Sequence, residues 1–257
     1  MRIWLPRYRR IAKLLGLSMK ADWEATLKLA KLVEGKAVKP SEAVRKVFGK
    51  TVIIFGAGPS LETDLKRLSK ANLLGRMVPI AADGAVSALL IFKIIPSLVV
   101  SDLDGKAEDL LKAERLGALL VVHGHGDNVD KFNSLIPRFK KILATTQVKP
   151  VKDLVYNFGG FTDGDRAAFL AETLRAKRII LAGMDLGETV GKFSKPWLKG
   201  ETEASPTKKV KLKIAKELLE WLAGWAEAEI LNFTLKGEDI PGIKRIGLEG
   251  LKSLLKA

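Results

Sequence analysis

The sequence predicts a three-layer, Rossmann-like α/β fold with a mostly parallel sheet and helical additions at both ends. Short runs rich in Val, Ile and Leu alternate with helical segments between residues 51 and 182. Runs that are apolar on both faces belong to parallel sheets covered by helices on each side. Glycines, aspartates and histidines gather directly after these runs, while the runs themselves are bland. Sheets of this class bind ligands at the carboxyl ends of their strands.

Residues 1–35 read as helical. Ile11, Leu14 and Leu15, then Trp23, Leu27 and Ala30, fall three and four apart and form an apolar stripe. Asp22 is placed to cap the second helix. A polar connection with Pro40 and a short helix begun at Ser41 lead to a boundary near Lys50, so 1–48 is taken as a helical segment. The α/β core, 49–186, opens on a β-branched run at 51–55 that ends in a glycine turn. It continues as helix 63–69, strand 78–82, helix 85–93, strand 98–101, helix 106–116 and strand 119–123. A helix opening at 129–134, strand 141–145, an apolar segment at 155–158, helix 163–176 and strand 178–182 complete it. Residues 187–257 are read as a lid loop and C-terminal helices. The stretch 187–209 is long, lysine-rich and irregular, the mark of a functional or disordered loop, and is expected to be a mobile lid. Helical periodicity returns at 210–230 with Leu218, Leu219, Trp221, Leu222 and Trp225 expected inside. A short strand or turn from Leu231 then precedes a helix at 248–255.

Of the 257 residues, 47% are hydrophobic and 28% charged, a balance that suits one large α/β domain and argues against disorder along most of the chain. There is no cysteine, which excludes disulfides, cysteine zinc sites, iron–sulfur clusters and a thiol nucleophile. His123 and His125 are the only histidines, too few for a histidine metal cage. The net charge of +15 has three readings. It is a surface for nucleic acid or anionic membrane, a field that steers anionic substrates, or the lysine-rich surface of a protein from a hot environment. The last is favoured, because Gln147 is the only glutamine and charged faces ordinarily need no partner. Nucleic acid is therefore not expected as a partner. No run of about 18 apolar residues is present to span a membrane. The basic stretch 1–10 lacks the apolar core of a signal peptide. A cytoplasmic protein is expected, with a homodimer left open.

Ser101-Asp102-Leu103-Asp104-Gly105 follows the third run. In extended backbone, residues i and i+2 point the same way, so Asp102 and Asp104 are expected to converge and Gly105 to turn the chain. Like charges so placed repel, and a hard divalent cation such as magnesium relieves the repulsion while keeping positions for water and phosphate oxygens. The bland alternative is a solvated turn with two capping aspartates. Gly56-Ala57-Gly58-Pro59-Ser60-Leu61 is either a structural turn or a backbone approach to phosphate at a helix N-terminus. A dinucleotide reading, with Asp83 as the ribose acid, is weakened by Leu61 and Pro59. His123-Gly124-His125-Gly126-Asp127-Asn128 sets two imidazoles, a carboxylate and an amide in one loop, for ligand atoms or for backbone carbonyls. Thr162 is a natural N-cap ahead of Asp163 and Asp165, whose charges suit a helix N-terminus. After Gly159-Gly160 the same acids are also placed to complete a polar floor. Lys192 and Lys195 are suited to neutralising polyphosphate, with Phe193 or Trp197 to stack on a flat ring; the alternative is a solvated basic loop.

Together these stretches resemble the archaeal 6-hydroxymethyl-7,8-dihydropterin pyrophosphokinase family. The resemblance is carried by residues 56–60, 82–85, 101–105, 123–128, 160–166 and 192–196 in order and spacing, and it spans nearly the whole chain. That family is similar in turn to the catalytic domain of thiamin pyrophosphokinases, where an Asp-x-Asp turn holds magnesium and a Thr-Asp helix start faces the site. Asp102, Asp104, Thr162 and Asp163 match those positions. The resemblance implies transfer of diphosphate from ATP to the hydroxymethyl group of a reduced pterin, with release of AMP. It implies Mg2+ on Asp102 and Asp104, and Lys192 and Lys195 on the phosphate oxygens. Asp163 or Asp127 would orient the hydroxyl, and Asp83 and Asn128 would hold ring edges. Gly56, Gly58, Ser60, His123, His125, Thr162 and Asp165 complete the expected binding set. A thiamin pyrophosphokinase-like or nucleotide-sugar transferase is the rival enzyme; a basic nucleic-acid-binding protein is the rival of another class. On the favoured reading, Asp102→Ala or Asp104→Ala abolishes AMP formation while the fold persists. Nucleic-acid binding would instead survive Asp102→Ala and weaken with salt.

Overall fold

The computed structural model describes residues 3–256, so the helical expectation for residues 1 and 2 lies outside the described residues. The buried apolar runs form the strands expected of them: β1 (Thr51–Phe55), β2 (Val78–Ala82), β3 (Leu98–Ser101), β4 (Leu119–Gly124), β5 (Ile142–Thr146), β6 (Val155–Tyr156) and β7 (Arg178–Ala182). A hairpin, β8 (Thr189–Val190) with β9 (Thr202–Glu203), stands apart, and β10 (Glu229–Asn232) and β11 (Lys244–Arg245) return to the main sheet. Among the described residues that sheet has nine strands in the order β11-β10-β7-β1-β2-β3-β4-β5-β6, and all its pairings are parallel. β1 is central, with Ile54 opposite Ile80 of β2 and Leu181 of β7. The chain winds outward from β1 to β6 and then crosses back to β7. The order therefore switches beside β1, where sheets of this kind open a crevice at their carboxyl edge.

Alternation along the strands feeds two cores. Ile53 and Phe55 of β1, with Leu120 and Val122 of β4, face α2 (Met19–Leu32), α4 (Leu61–Lys70), α5 (Ala85–Ile91), α6 (Ala107–Arg115), α7 (Val129–Leu135) and α10 (Leu248–Leu254). Val52, Ile54, Leu119 and Val121 face α1 (Trp4–Leu15), α3 (Pro40–Val47), α8 (Asp163–Thr173) and α9 (Pro206–Ala223). The three layers expected from the sequence are therefore present. The first two helices lie on opposite faces, so the turn between them, residues 16–18, passes over the carboxyl edge of the sheet.

Several local expectations change. Ser18, not Asp22, caps α2 by accepting from the Ala21 N–H at 3.2 Å. Asp22 is instead buried. The apolar stripe of α2 is Ala25, Leu29, Ala30 and Val33, while Leu14 and Leu27 are exposed. The stripe shifts because α1 and α2 bury their faces in different layers, so one helical period does not run through both. α9 begins at Pro206, inside the stretch read as loop, with the Ser205 hydroxyl accepting from Lys208 N–H at 3.2 Å. Trp225, expected inside, lies beyond the end of that helix and is 43% exposed. Among the described residues no helix is long and apolar enough to cross a membrane.

Leu29 is fully buried beneath β4, where a Cβ on Gly124 would lie 3.0 Å from its Cδ2. Leu29→Ala is expected to lower unfolding free energy by about 2–5 kcal/mol, measured by urea denaturation; a change within 0.5 kcal/mol of zero, roughly the surface-substitution range, would deny α2 a part in the core.

Candidate active site

The carboxyl ends of β7, β1, β2, β3, β4 and β5 open on one cavity of about 740 Å³, a volume typical of small-molecule sites. Asp83, Asp102 and Asp163 meet on its floor, one carboxylate oxygen from each lying within 4.8 Å of the other two. Asp83 and Asp102 each follow the last residue of neighbouring strands, and Asp163 is the first residue of α8. Asp83 turns out of β2 with φ 28°. It is pinned by its N–H on the Val100 carbonyl at 2.8 Å and by the Ser101 hydroxyl donating to its carboxylate.

The electrostatics follow from that crowding. Burial, and then the Asp102 charge, push the Asp83 carboxyl up to about 6. Burial, followed by the charges of Asp102 and Asp83, raises Asp163 well above the usual carboxylate range. Burial also opposes ionisation of Asp102. It is outweighed there by the His125 imidazole, whose Nε2 lies 3.6 Å away, and by Lys195 and Arg166, so Asp102 falls below the usual range. One carboxylate is thus firmly ionised and two are held back by it.

Asp104 does not join this group. Leu103 has φ 66° and is buried in the core, so the backbone between the two aspartates is not extended, and Asp104, whose N–H donates to Asp102 Oδ1 at 3.1 Å, is not one of the three clustered carboxylates. The Asp104 carboxylate pairs with Lys131 of α7 and Lys195. The carboxylates that cluster are Asp83, Asp102 and Asp163, and Asp104, on the wall of the same cavity, tethers Lys195.

The remaining expected residues divide between wall and scaffold. Gly56, Gly58, His125, Asp127, Thr162 and Lys195 line the cavity. Gly56 and Gly58 have a packing reason to be glycine: a Cβ on either would lie 2.7 or 2.6 Å from the Gly183 carbonyl oxygen. Ser60 is scaffold, its hydroxyl and N–H donating to Asp185 at 2.5 and 3.1 Å. Asn128 donates to the carbonyls of Asp102 and His123, both at 2.7 Å, and so ties two strand ends together rather than facing a ligand. Asp165 turns back to accept from the N–H groups of Phe161 and Thr162 at 2.6 and 2.8 Å. Lys192 points away to Glu62 at 2.9 Å. Trp197 reaches the cavity wall, whereas Phe193 packs against the core.

His123 lies behind the wall. Burial, then the Arg166 and His125 charges, hold its imidazole well below the usual range, so it is neutral. Its Nδ1 accepts from Arg166 Nη1 at 2.7 Å. The proton therefore sits on Nε2, which has no partner among the described residues. Arg166 itself was not anticipated. It lines the cavity and is braced by Gln147 Oε1 at 2.9 Å and the Phe161 carbonyl at 2.5 Å. Asp22, Gln147 and Lys211 also reach the cavity without having been named as site residues, and Lys208 does so from the stretch read as a lid loop. Burial lowers the Lys208 ammonium against the opposing pull of Asp163.

Comparison with known proteins fixes the relationship. The family described as "6-hydroxymethylpterin diphosphokinase MptE-like" matches residues 26–191. A 6-hydroxymethyl-7,8-dihydropterin pyrophosphokinase of Pyrococcus furiosus is 48% identical over 233 residues, 90% of this chain and 98% of its own. The protein of the same name from Methanocaldococcus jannaschii is 38% identical over 239 residues, 90% of this chain and 99% of its own. The chain belongs to the MptE-like family. The resemblance read from the motif order is confirmed, and it places the chain among diphosphotransferases. The MAf glycosyltransferase of Magnetospirillum magneticum shares the architecture at TM-score 0.53 and 19% identity, over 89% of this chain and 41% of that longer one. At that identity the likeness is one of fold.

The raised carboxyls make a pH prediction for this MptE-like chain. A carboxyl whose folded pKa exceeds its unfolded value contributes stability below the unfolded value and loses it as pH rises through the folded one. Asp83 and Asp64 both sit at about 6, Asp64 mainly through burial. In chelator, the melting temperature is expected to fall as pH rises from about 4 to about 6. Asp83→Asn and Asp64→Asn should each remove a separate part of that slope, with Asp163 contributing to the remainder. A slope that Asp83→Asn leaves untouched would mean that Asp83 is not held up in the folded chain.

Proposed function

We propose that the chain transfers diphosphate from ATP to 6-hydroxymethyl-7,8-dihydropterin in a magnesium-dependent reaction that releases AMP. The observation that carries this reading is the convergence of Asp83, Asp102 and Asp163 in a cavity that Lys195, Lys208 and Arg166 also line. The names of the curated relatives supply the acceptor.

The donor set suits magnesium. It is all carboxylate oxygen, with no thiol in the chain, and hard dications select oxygen ligands. Asp102 would anchor the ion, and Asp83 and Asp163 would lose their residual protons as it bound. When bound, magnesium supplies charge neutralisation and orientation to the triphosphate. The chain's own contribution is to hold reactants in line and balance the charge that moves. The hydroxymethyl oxygen attacks the β-phosphorus, the bond from that phosphorus to the α–β bridging oxygen breaks, AMP departs with that oxygen, and the hydroxyl proton is lost to solvent. Lys195 and Lys208 oppose the charge that accumulates on the leaving phosphate. Arg166, forked and braced from behind, offers donors in fixed positions.

The test is AMP release from ATP, magnesium and the reduced pterin. Asp102→Asn and Asp163→Asn are each expected to lower kcat/KM by about 10²–10³-fold or more, the cost of losing a charge-stabilising group in such a site. Asp104→Asn should cost only about three- to tenfold, the loss of one partly exposed ion-pair tether. Equal inactivation by Asp104→Asn and Asp102→Asn would return Asp104 to the metal, and near-full activity of Asp102→Asn would sink the reading.

A further inference from the structure

The cavity has two arms, one on each side of the three carboxylates. Over β7 and β1 its wall is glycine backbone, from Gly56, Gly58 and Gly183, and Lys208 of α9 lies beside the carboxylates, while Lys211 sits over the Phe161 ring at 6.0 Å. The N–H groups of these glycines are spent within the fold, on the Ala182 and Gly183 carbonyls and the Asp64 carboxylate, so the wall offers close approach without side chains, and the lysine beside it offers charge suited to polyphosphate. Over β4 and β5 the wall is different. The turn between α1 and α2 forms the roof, and Asp22, Gly126, Gln147, Phe161 and Arg166 line the arm.

The polar members of this second arm are deeply buried: Asp22 and Gln147 are 3% exposed and Arg166 is 7% exposed. They form one chain of hydrogen bonds. The Tyr8 hydroxyl donates to Asp22 Oδ2, Gln147 Nε2 donates to the Tyr8 oxygen at 2.8 Å, and Arg166 Nη2 donates to Gln147 Oε1 at 2.9 Å. The Gly126 N–H donates to Asp22 Oδ1 at 2.9 Å. Each Asp22 oxygen therefore has one partner and keeps a lone pair, and the Gln147 amide keeps one N–H. Unspent capacity on buried groups that line a cavity is capacity for a ligand, because leaving it unused costs desolvation without return.

We propose that this arm seats the heteroaromatic ring of the acceptor, with the Asp22 carboxylate reading the edge of a 2-amino-4-oxo-pyrimidine; this rests on the pterin reading above. Such an edge presents an amino N–H and a ring N–H side by side, two donors matched to one carboxylate. The corresponding edge of adenine presents one donor and one acceptor, so a carboxylate there selects against it. Phe161 supplies an apolar ring in the same arm, suited to a flat bicycle. The nucleotide is left to the glycine and lysine arm, and the hydroxymethyl group falls between the arms, at the carboxylates.

The experiment compares 6-hydroxymethyl-7,8-dihydropterin with its 2,4-dioxo analogue, in which oxygen replaces the 2-amino group, using the full-length enzyme with ATP and magnesium. The wild type is expected to prefer the pterin by at least ~10²-fold in kcat/KM, as sites built to bond a donor reject analogues that lack it. Asp22→Asn should raise the KM for the pterin at least tenfold, leave that for ATP within twofold, and shrink the preference below tenfold. Tyr8→Phe, which keeps the carboxylate and removes the internal hydrogen bonds to Asp22 and from Gln147, should hold the preference within threefold of wild type. A wild type indifferent to the analogue overturns the proposal whether or not the variants fold. So does a change in ATP KM with pterin KM unmoved, or a loss in Tyr8→Phe equal to that in Asp22→Asn. A wild type that forms no AMP with either compound sinks the pterin reading itself, a separate result.

Discussion

Mutual repulsion among Asp83, Asp102 and Asp163 is the constraint around which the site is arranged. A parallel sheet puts the carboxyl end of every strand on one edge, and neighbouring strands lie about 4.8 Å apart. Acids placed just after β2 and β3 are therefore forced close, and the N-terminus of α8 brings a third. The cost of three such groups in a half-enclosed cavity is visible in the opposed behaviour of Asp102, held low, and of Asp83 and Asp163, held high. The fold moderates it from several directions. The dipole of α8 favours charge on Asp163, His125 and Arg166 favour charge on Asp102, and Lys195 and Lys208 arrive from segments distant in sequence.

The sheet was legible because its signal is local. The runs at 51–55, 78–82, 98–101 and 178–182 become strands with those bounds, since a strand buried on both faces must be apolar throughout and must end where polarity begins. The hairpin β8–β9 was not legible, because two-residue strands have no periodicity to read. The start of α9 was hidden by lysines that face the cavity and so break the apolar pattern. At the site, residues directly after strands were found, as were Asp163 and Lys195 from the motifs at 160–166 and 192–196, while others on helices were missed. Asp102, Asp83 and His125 belong to the first kind. Arg166 and Lys208 belong to the second, and within a helix neither differs by sequence from a solvated residue. Asp104 was misplaced for a backbone reason: the i, i+2 rule holds only in extended chain, and the left-handed Leu103 breaks it. The signal was present in part, since a leucine between two acids and a glycine needs somewhere to bury, and it does so by turning inward.

The N-terminal helices illustrate how framework and site share residues. α1 and α2 pack on opposite faces of the sheet and are joined across its carboxyl edge. Apolar packing through Trp4, Tyr8, Ala25 and Leu29 is enough to hold them there. The polar chain from Asp22 through Tyr8 and Gln147 to Arg166 is not needed for that, because buried polar networks seldom stabilise more than a well-packed apolar contact. Its expense is matched instead by what it positions. Gln147 is the chain's only glutamine, and it sits at the one point where the N-terminal helices, the end of β5 and Arg166 are all within hydrogen-bond reach. His123 supports the same guanidinium from below and must be neutral to accept from it, which its burial beside Arg166 ensures. A cation locked from three sides cannot swing away to pair with the acids next to it. Arg166 therefore faces the cavity as a fixed donor, and the acids beside it are left unpaired by it. The sequence read Asp22, Gln147 and Arg166 as parts of three unrelated elements; the folded chain makes them one wall.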